Sequence, residues 1–308
     1  MDSTSARRAI RRWITTSALS LFALPALAFN HDTVVNPLPP GHFPVACSNV
    51  AQDTSRMAPG TLPSDYWEGF PVNGTDHYVT EILAHPESAF VYDALVPDQR
   101  SVYPGHAGDF VTFAAIVCYP TYSQNQDPDY DLPGGGTVPH MALPGNAPKF
   151  IGTDEYYPNY DLNESIPMHL PLIVFSHGLT GSPISSGYLE AIVQLASQGF
   201  MVAAPFHGDP RFSRIHIDDV PDLFYLYNEF DRVVEMQLMR PLSLKVMLDK
   251  LLADPGYARG IDPDRIMGFG ASLGGEAMML LLGASVTTTL GQHCEDVAVH
   301  DPRLKAAV

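Results

Sequence analysis

Apolar positions along the second half of the chain fall into two alternating rhythms. Near-continuous apolar runs, as strands buried on both faces require, are found at His169-Leu-Pro-Leu-Ile-Val-Phe-Ser176 and at Gly199-Phe-Met-Val-Ala-Ala204. Between them, Leu189, Ile192, Val193 and Leu195 recur at helical spacing, which predicts a helix over about 185–198. A later helix is predicted over about 242–252, with Asp249 on its surface and no special role required of it. Asp262-Pro-Asp264 then leads into a strand ending at Gly270, a helix follows to about Leu282, and Arg303-Leu-Lys-Ala-Ala-Val308 reads as a strand cut short. Strands alternating with helices predict an α/β fold, a mostly parallel sheet with helices on both faces.

The first half has a different texture. Phe110 to Tyr119 is β-branched and aromatic between Gly108 and Pro120, so the first sheet strands begin there or slightly before it. Residues 121–165 are rich in Pro, Gly, Asp and Asn, as a long surface excursion would be. Within them Asp127-Pro-Asp129-Tyr-Asp131 spaces carboxylates alternately, but its proline and the lack of a distal glutamate favour a solvated loop over a calcium site. Residues 29 to about 75 read as an extended arm. Ahead of it, Arg7, Arg8, Arg11 and Arg12 precede an apolar stretch from Trp13 to Leu24 and a small-residue ending, Pro25-Ala26-Leu27-Ala28. This predicts a signal peptide over 1–28, with export to the periplasm or the exterior, and Arg11-Arg12-Trp13-Ile14 is only a partial twin-arginine match. The stretch is too short to cross about 30 Å of hydrocarbon, so no stable membrane anchor is expected. The predicted division is therefore 1–28 signal peptide, 29–108 arm and first elements, and 109–308 the α/β domain.

Charge and cysteines narrow the partners. With 34 Asp and Glu against 17 Lys and Arg, the net charge is −17, which repels nucleic acid and disfavours anionic membranes. Of the 3 cysteines, Cys47 and Cys118 lie in the first half and can pair in an oxidising compartment, leaving Cys294 over. None is at zinc-ligand spacing, and neither metal nor cofactor is expected. No pair of carboxylates stands out as glycosidase chemistry would require.

Candidate chemistry converges on Gly268-Phe-Gly270-Ala-Ser272-Leu-Gly274-Gly275, which sets a serine between glycines where a buried strand meets a helix. In such an elbow the serine is held at strained angles while Gly270 and Gly274 let strand and helix pass closely. Ser272 is the predicted nucleophile. The oxyanion of an acyl-transfer intermediate needs backbone donors, for which the Leu273 amide and that of Leu179, with Thr180 next, are the candidates. Leu179 and Thr180 belong to the glycine-rich loop Ser176-His177-Gly178-Leu179-Thr180-Gly181-Ser182, whereas Leu273 opens the helix after the elbow. His177 and Gly178 are expected to order that loop, and His207 to shape the pocket, rather than to act as base. Asp296, His300 and Asp301 precede the last strand, at the wrong end of the sheet, and read as solvated loop residues. The aromatic and Met-rich segment Phe212 to Met239 is either a lid or ordinary core, with core favoured.

These residues resemble the α/β-hydrolase superfamily, and within it the secreted dienelactone-hydrolase-like and platelet-activating-factor-acetylhydrolase-like esterases. The resemblance rests on the Ser176–Ser182 loop, Ala204-Pro-Phe-His-Gly-Asp209, Arg240-Pro-Leu-Ser, the elbow, and Asp301-Pro-Arg-Leu-Lys-Ala-Ala-Val308. It covers about 165–308. It implies a cofactor-independent serine hydrolase of small-molecule esters with short or medium acyl groups, working through an acyl-enzyme. In such proteins the triad acid and histidine follow the serine, after later strands, so the chain is expected to be a fragment that stops before both. Two alternatives stay open: a non-catalytic exported binding protein or inactive fragment on the same fold, and an amide or peptide hydrolase.

Overall fold

The computed structural model describes residues 39–48, 71–72, 75–76, 90–121, 130–131, 137–138, 169–179, 181–183, 186–213, 223–289, 293–295 and 299–308. The predicted signal peptide, Asp127 and Asp129, Thr180, residues 214–222 and Asp296 lie outside the described residues. Every element below belongs to the unit Pro40–Val308.

Seven strands form the main sheet: β1 (Val45–Ser48), β2 (Phe90–Leu95), β3 (Phe110–Pro120), β4 (Leu170–Ser176), β5 (Met201–Phe206), β6 (Ile261–Gly270) and β7 (Leu304–Ala307). Their order is β1-β3-β5-β4-β6-β7, and β2 shares the outer edge of β3 with β1. β2 pairs with the first half of β3, Phe90 opposite Ala115 and Leu95 opposite Phe110, while β1 pairs with the second half, from Val45 opposite Pro120 to Ser48 opposite Val117. Only β3 runs against the rest, since it pairs antiparallel with β1, β2 and β5 and the pairs β5–β4, β4–β6 and β6–β7 are parallel. The sheet is thus mixed but mostly parallel. Strand β1 falls in the stretch expected as an arm, and β2 begins 20 residues before Phe110, where the first strand legible in the sequence starts. Cys47 faces Cys118 in the β1–β3 register, and the two are joined by a disulfide.

Alternate residues of these strands feed two cores, as the period of a strand demands. On one face Ile173, Phe175, Val202, Ala204, Ile116 and Cys118 pack under α1 (Ser186–Ser197) through Leu189, Ile192 and Ala196. On the other, Leu172, Val174, Met201, Ala203 and Val117 pack under two helices, α4 (Phe230–Ala253) and α6 (Leu273–Leu281). Short helices α2 (Asp209–Ser213), α3 (Leu223–Asn228) and α5 (Pro255–Ala258) fill the connections.

Helix α4 is far longer than the segment 242–252 predicted for it. Pro241 ordinarily interrupts a helix by removing a donor and crowding the preceding turn. Here the helix continues through it, held by Val233, Val234, Met236, Leu238 and Met239 on one side and Leu244, Met247, Leu248 and Leu251 on the other, all buried. Of the described part of Phe212–Met239, Phe212 and most residues from Val233 to Met239 are core, whereas Phe224 and Tyr227 are exposed. Among the described residues no helix is long and apolar enough to cross a membrane.

Candidate active site

The strand β6 delivers Ser272 to an exposed position immediately before α6. Its backbone, at φ 52 and ψ −117, makes it the only non-glycine residue with positive φ among the described residues. Such a conformation is sterically costly for an L-residue and persists only when its surroundings impose it. The glycines supply the reason. A Cβ on Gly270 would stand 2.3 Å from the Gly274 carbonyl oxygen, and one on Gly274 would stand 2.0 Å from the Ser176 carbonyl oxygen. Strand, turn and helix are therefore in backbone-to-backbone contact at the elbow.

That contact also brings the Ser176–Ser182 loop to Ser272. The Ala271 amide donates to the Ser176 carbonyl at 3.1 Å, and a Cβ on Gly178 would lie 3.5 Å from the Ser272 Cβ. The Gly274, Gly275 and Glu276 amides find acceptors in the Ala271 and Ser272 carbonyls. The Leu273 amide, ahead of them at the first helical position, has no acceptor within its helix. Leu179 and Leu273 are half-buried, their side chains packed against the same core.

Both predicted pocket histidines are buried, and neither is bonded to Ser272. His207 is bonded through Nε2 to Ser176 Oγ (2.8 Å) and through Nδ1 to Ser243 Oγ (3.1 Å). Burial, then the Arg240 guanidinium and then His177, hold its pKa well below 6.5. His177 Nδ1 is 2.8 Å from the Gly178 carbonyl and must donate to it, which leaves Nε2 an unprotonated acceptor without a partner. Burial, reinforced by Arg240 and opposed by Asp209 and the Gly178 hydrogen bond, lowers the His177 pKa to about 4. An imidazole so acidified is a weak base at neutral pH.

The sequence reading missed the group that organises this region. Arg240 on α4 is buried and paired with Asp209, donating from Nε to Oδ1 at 2.8 Å and from Nη2 to Oδ2. Its remaining donors reach the loop carbonyls, Nη1 to His177 at 2.5 Å and Nη2 to Gly178 at 3.2 Å. On the other side the Tyr188 hydroxyl of α1 accepts from the Gly178 amide at 3.2 Å. Asp209 and Arg240 both stood in motifs legible in the sequence, but their pairing spans 31 residues and leaves no local signal.

Asp301 is not the solvated loop residue expected. It is buried, and its carboxylate accepts from Arg303 Nε at 2.8 Å and from the Arg303 amide at 3.1 Å. Burial raises its pKa, but these hydrogen bonds and the Arg303 charge outweigh that and bring it below the usual carboxylate value. Arg303 also reaches Asp249 at 2.6 Å, so that residue has an ion-pair partner after all. His300 is exposed, as expected. Because β7 runs parallel to β6, Asp301 precedes it at the end of the sheet opposite Ser272.

A cavity of about 410 Å³ lies beside α6, with Phe230, Met279 and Leu280 among its apolar walls and Gln237, Glu276 and Ser285 as its polar lining. Neither Ser272 nor the Ser176–Ser182 loop lines it. Among the described residues no group of three His, Cys, Asp or Glu side chains is placed to hold a metal ion.

The sequence model of the family "platelet-activating factor acetylhydrolase, isoform II" matches residues 156–216, a stretch that takes in β4, the loop after it, α1, β5, His207 and Asp209. No curated protein matches the chain. Among solved structures it is similar to a putative dienelactone hydrolase from Klebsiella pneumoniae subsp. pneumoniae MGH 78578, at 16% identity and a TM-score of 0.32, covering 70% of this chain and 57% of that one. It is also similar to a ferulic acid esterase from Streptomyces cinnamoneus (18% identity, TM-score 0.38, covering 61% of this chain and 53% of that one). A putative acetyl xylan esterase from Bacteroides fragilis NCTC 9343 aligns at 15% identity with a TM-score of 0.30, covering 82% of this chain and 55% of that one. The chain spans little more than half the length of each of these proteins. With its mostly parallel sheet and strand–serine–helix elbow, the chain has an α/β-hydrolase fold and is similar over residues 156–216 to the platelet-activating factor acetylhydrolase isoform II family.

Proposed function

We propose that the protein is an exported serine hydrolase of carboxylic esters, with Ser272 as its nucleophile. The observation that carries this reading is the exposed Ser272 at φ 52, held between glycines that admit no side chain. A serine is placed so where its hydroxyl must project from the sheet end toward a substrate. In the proposed reaction Ser272 Oγ attacks the ester carbonyl, the Leu273 and Leu179 amides donate to the oxyanion, the alcohol leaves, and water releases the acid from the acyl-enzyme. His207, with both nitrogens engaged, and His177, with a pKa of about 4, order the pocket rather than take the serine proton. In α/β-hydrolase folds generally, the group that takes the serine proton and returns it to the leaving alcohol is a histidine later in chain order than the serine. Export is supported by the Cys47–Cys118 disulfide, since such bridges persist in oxidising compartments.

The test is hydrolysis of nitrophenyl acetate and butyrate by the full-length protein and its Ser272→Ala variant. Loss of turnover in the variant is expected, and an unchanged rate overturns the reading. A second reading, an exported binding protein on the same fold, is favoured by one observation. Among the described residues no histidine is hydrogen-bonded to the Ser272 hydroxyl.

A further inference from the structure

We infer that the buried Arg240–Asp209 pair is a positioning device that aims the Leu179 amide at the oxyanion. The inference rests on the ester-hydrolase reading for its catalytic consequence, but its structural half stands alone. No cis peptide bond is present among the described residues, so each peptide N–H points opposite to the carbonyl of the same unit. Whatever fixes the Gly178 carbonyl therefore fixes the direction of the Leu179 N–H. Three donors grip that carbonyl: His177 Nδ1 at 2.8 Å, Arg240 Nη2 at 3.2 Å and the Gly181 amide at 3.2 Å. Arg240 Nη1 fixes the preceding carbonyl, that of His177, in the same manner, and the Gly178 amide opposite it is received by Tyr188.

The loop needs such a clamp because of its composition. A Cβ on Gly178 would meet the Tyr188 hydroxyl at 2.8 Å and so push away the group that accepts from the Gly178 amide, while glycine itself leaves the flanking peptides free to rotate. Asp209 in turn holds the guanidinium, taking Nε and Nη2 in a two-pronged pair that leaves Nη1 and the second Nη2 hydrogen for the loop. Lysine cannot reproduce this division of donors, because an ammonium offers no fixed fork. The pair thus touches no reacting atom and acts through the loop.

Two variants of the full-length protein separate positioning from mere stability. Arg240→Lys keeps the charge against Asp209. Arg240→Met/Asp209→Leu removes both charges and leaves no buried ion unpaired, so the fold is retained. Hydrogen exchange read by mass spectrometry is expected to rise at 177–181 in both variants and to stay unchanged in β5 and α1. For catalysis, kcat per Ser272 titrated by a fluorophosphonate is expected to fall at least about tenfold with little change in KM, because an oxyanion donor acts in the transition state and its complete loss costs about 10²- to 10³-fold. Unchanged exchange at 177–181 overturns the clamp. Raised exchange with an unchanged kcat per titrated site overturns the catalytic role while leaving the clamp. If wild-type turnover proves independent of Ser272, the ester-hydrolase reading fails instead, and the exchange result alone decides the clamp.

Discussion

Replacing Gly274 by alanine probes the contact on which the whole site depends. The new Cβ would lie 2.0 Å from the Ser176 carbonyl oxygen, 2.6 Å from its carbon and 2.9 Å from the His177 oxygen, where ordinary contact begins at 3.4 Å. Relief requires α6 and β4 to part by more than an ångström, and the obstacle is the backbone of a central strand rather than a side chain that can swing aside. Overpacking costs about 1–3 kcal/mol in typical cores, and this arrangement belongs at the upper end, about 3 kcal/mol. At about 2–4 °C per kcal/mol for a domain of this size, Tm falls by about 6–12 °C. The same displacement carries the Leu273 amide with it, and a misplacement of about 1 Å costs on the order of 10²-fold in rate. Gly275→Ala is the control. Its Cβ meets nothing nearer than 3.5 Å, and alanine in a helix is favoured over glycine by about 0.8–1 kcal/mol, so its Tm holds or rises. Thermal unfolding followed by circular dichroism, with ester turnover on the same samples, measures both. If Gly274→Ala unfolds and turns over like the wild type, the close-packed elbow is refuted.

Three further outcomes are expected. Ser272→Gly removes a residue from a backbone conformation that costs about 1–3 kcal/mol, so Tm rises by a few degrees while turnover vanishes; a Tm no higher than wild type contradicts the strain at φ 52. His177 and His207 are held neutral in the fold, His177 with a pKa of about 4 against 6.5 ordinarily, so the unfolded chain takes up protons that the fold refuses. Stability is therefore complete above pH 6.5 and is lost as pH falls toward about 4, by about 3 kcal/mol for His177 at about 1.4 kcal/mol per unit. A Tm series from pH 7 down to pH 5 should decline, and should decline less in His177→Gln, whereas a flat wild-type series contradicts the assignment. Finally, the Cys47–Cys118 bridge closes a loop with a separation of 71 residues, worth about 4 kcal/mol in the chain-entropy account. The Cys47→Ala/Cys118→Ala variant should unfold at a lower denaturant midpoint, and an unchanged midpoint would show that β1 is not secured by the bridge.

What was legible in the sequence was what is local. Strands β4 and β5 are legible because strands covered on both faces are apolar almost throughout, β6 by the short apolar run Ile266–Phe269 into the elbow, and the elbow glycines because a tight crossing leaves no room for a side chain. The first half of helix α4 is hard to read from sequence, since Pro241 lies within it and Glu235, Arg240 and Ser243 interrupt its apolar stripe. Each of those buried polar residues has a distant partner: Glu235 bonds the Gly105 amide, Arg240 bonds Asp209, and Ser243 bonds His207. No periodicity encodes such pairings. The burial of Asp301 is hidden from the sequence in the same way, since Arg303 covers it only in the folded turn. The Leu179 and Leu273 amides were named from the order of strand, loop and elbow, while the clamp behind Leu179 emerged only from the fold.

The central claim, that Ser272 is an activated nucleophile, is met most directly by treating the full-length protein with a fluorophosphonate and locating the adduct by peptide mass spectrometry. The account predicts one phosphonyl group per chain, on Ser272, absent from Ser272→Ala and formed faster than on an unactivated serine. An adduct on another residue, or none while the protein remains folded, would contradict it and bring the binding-protein reading forward.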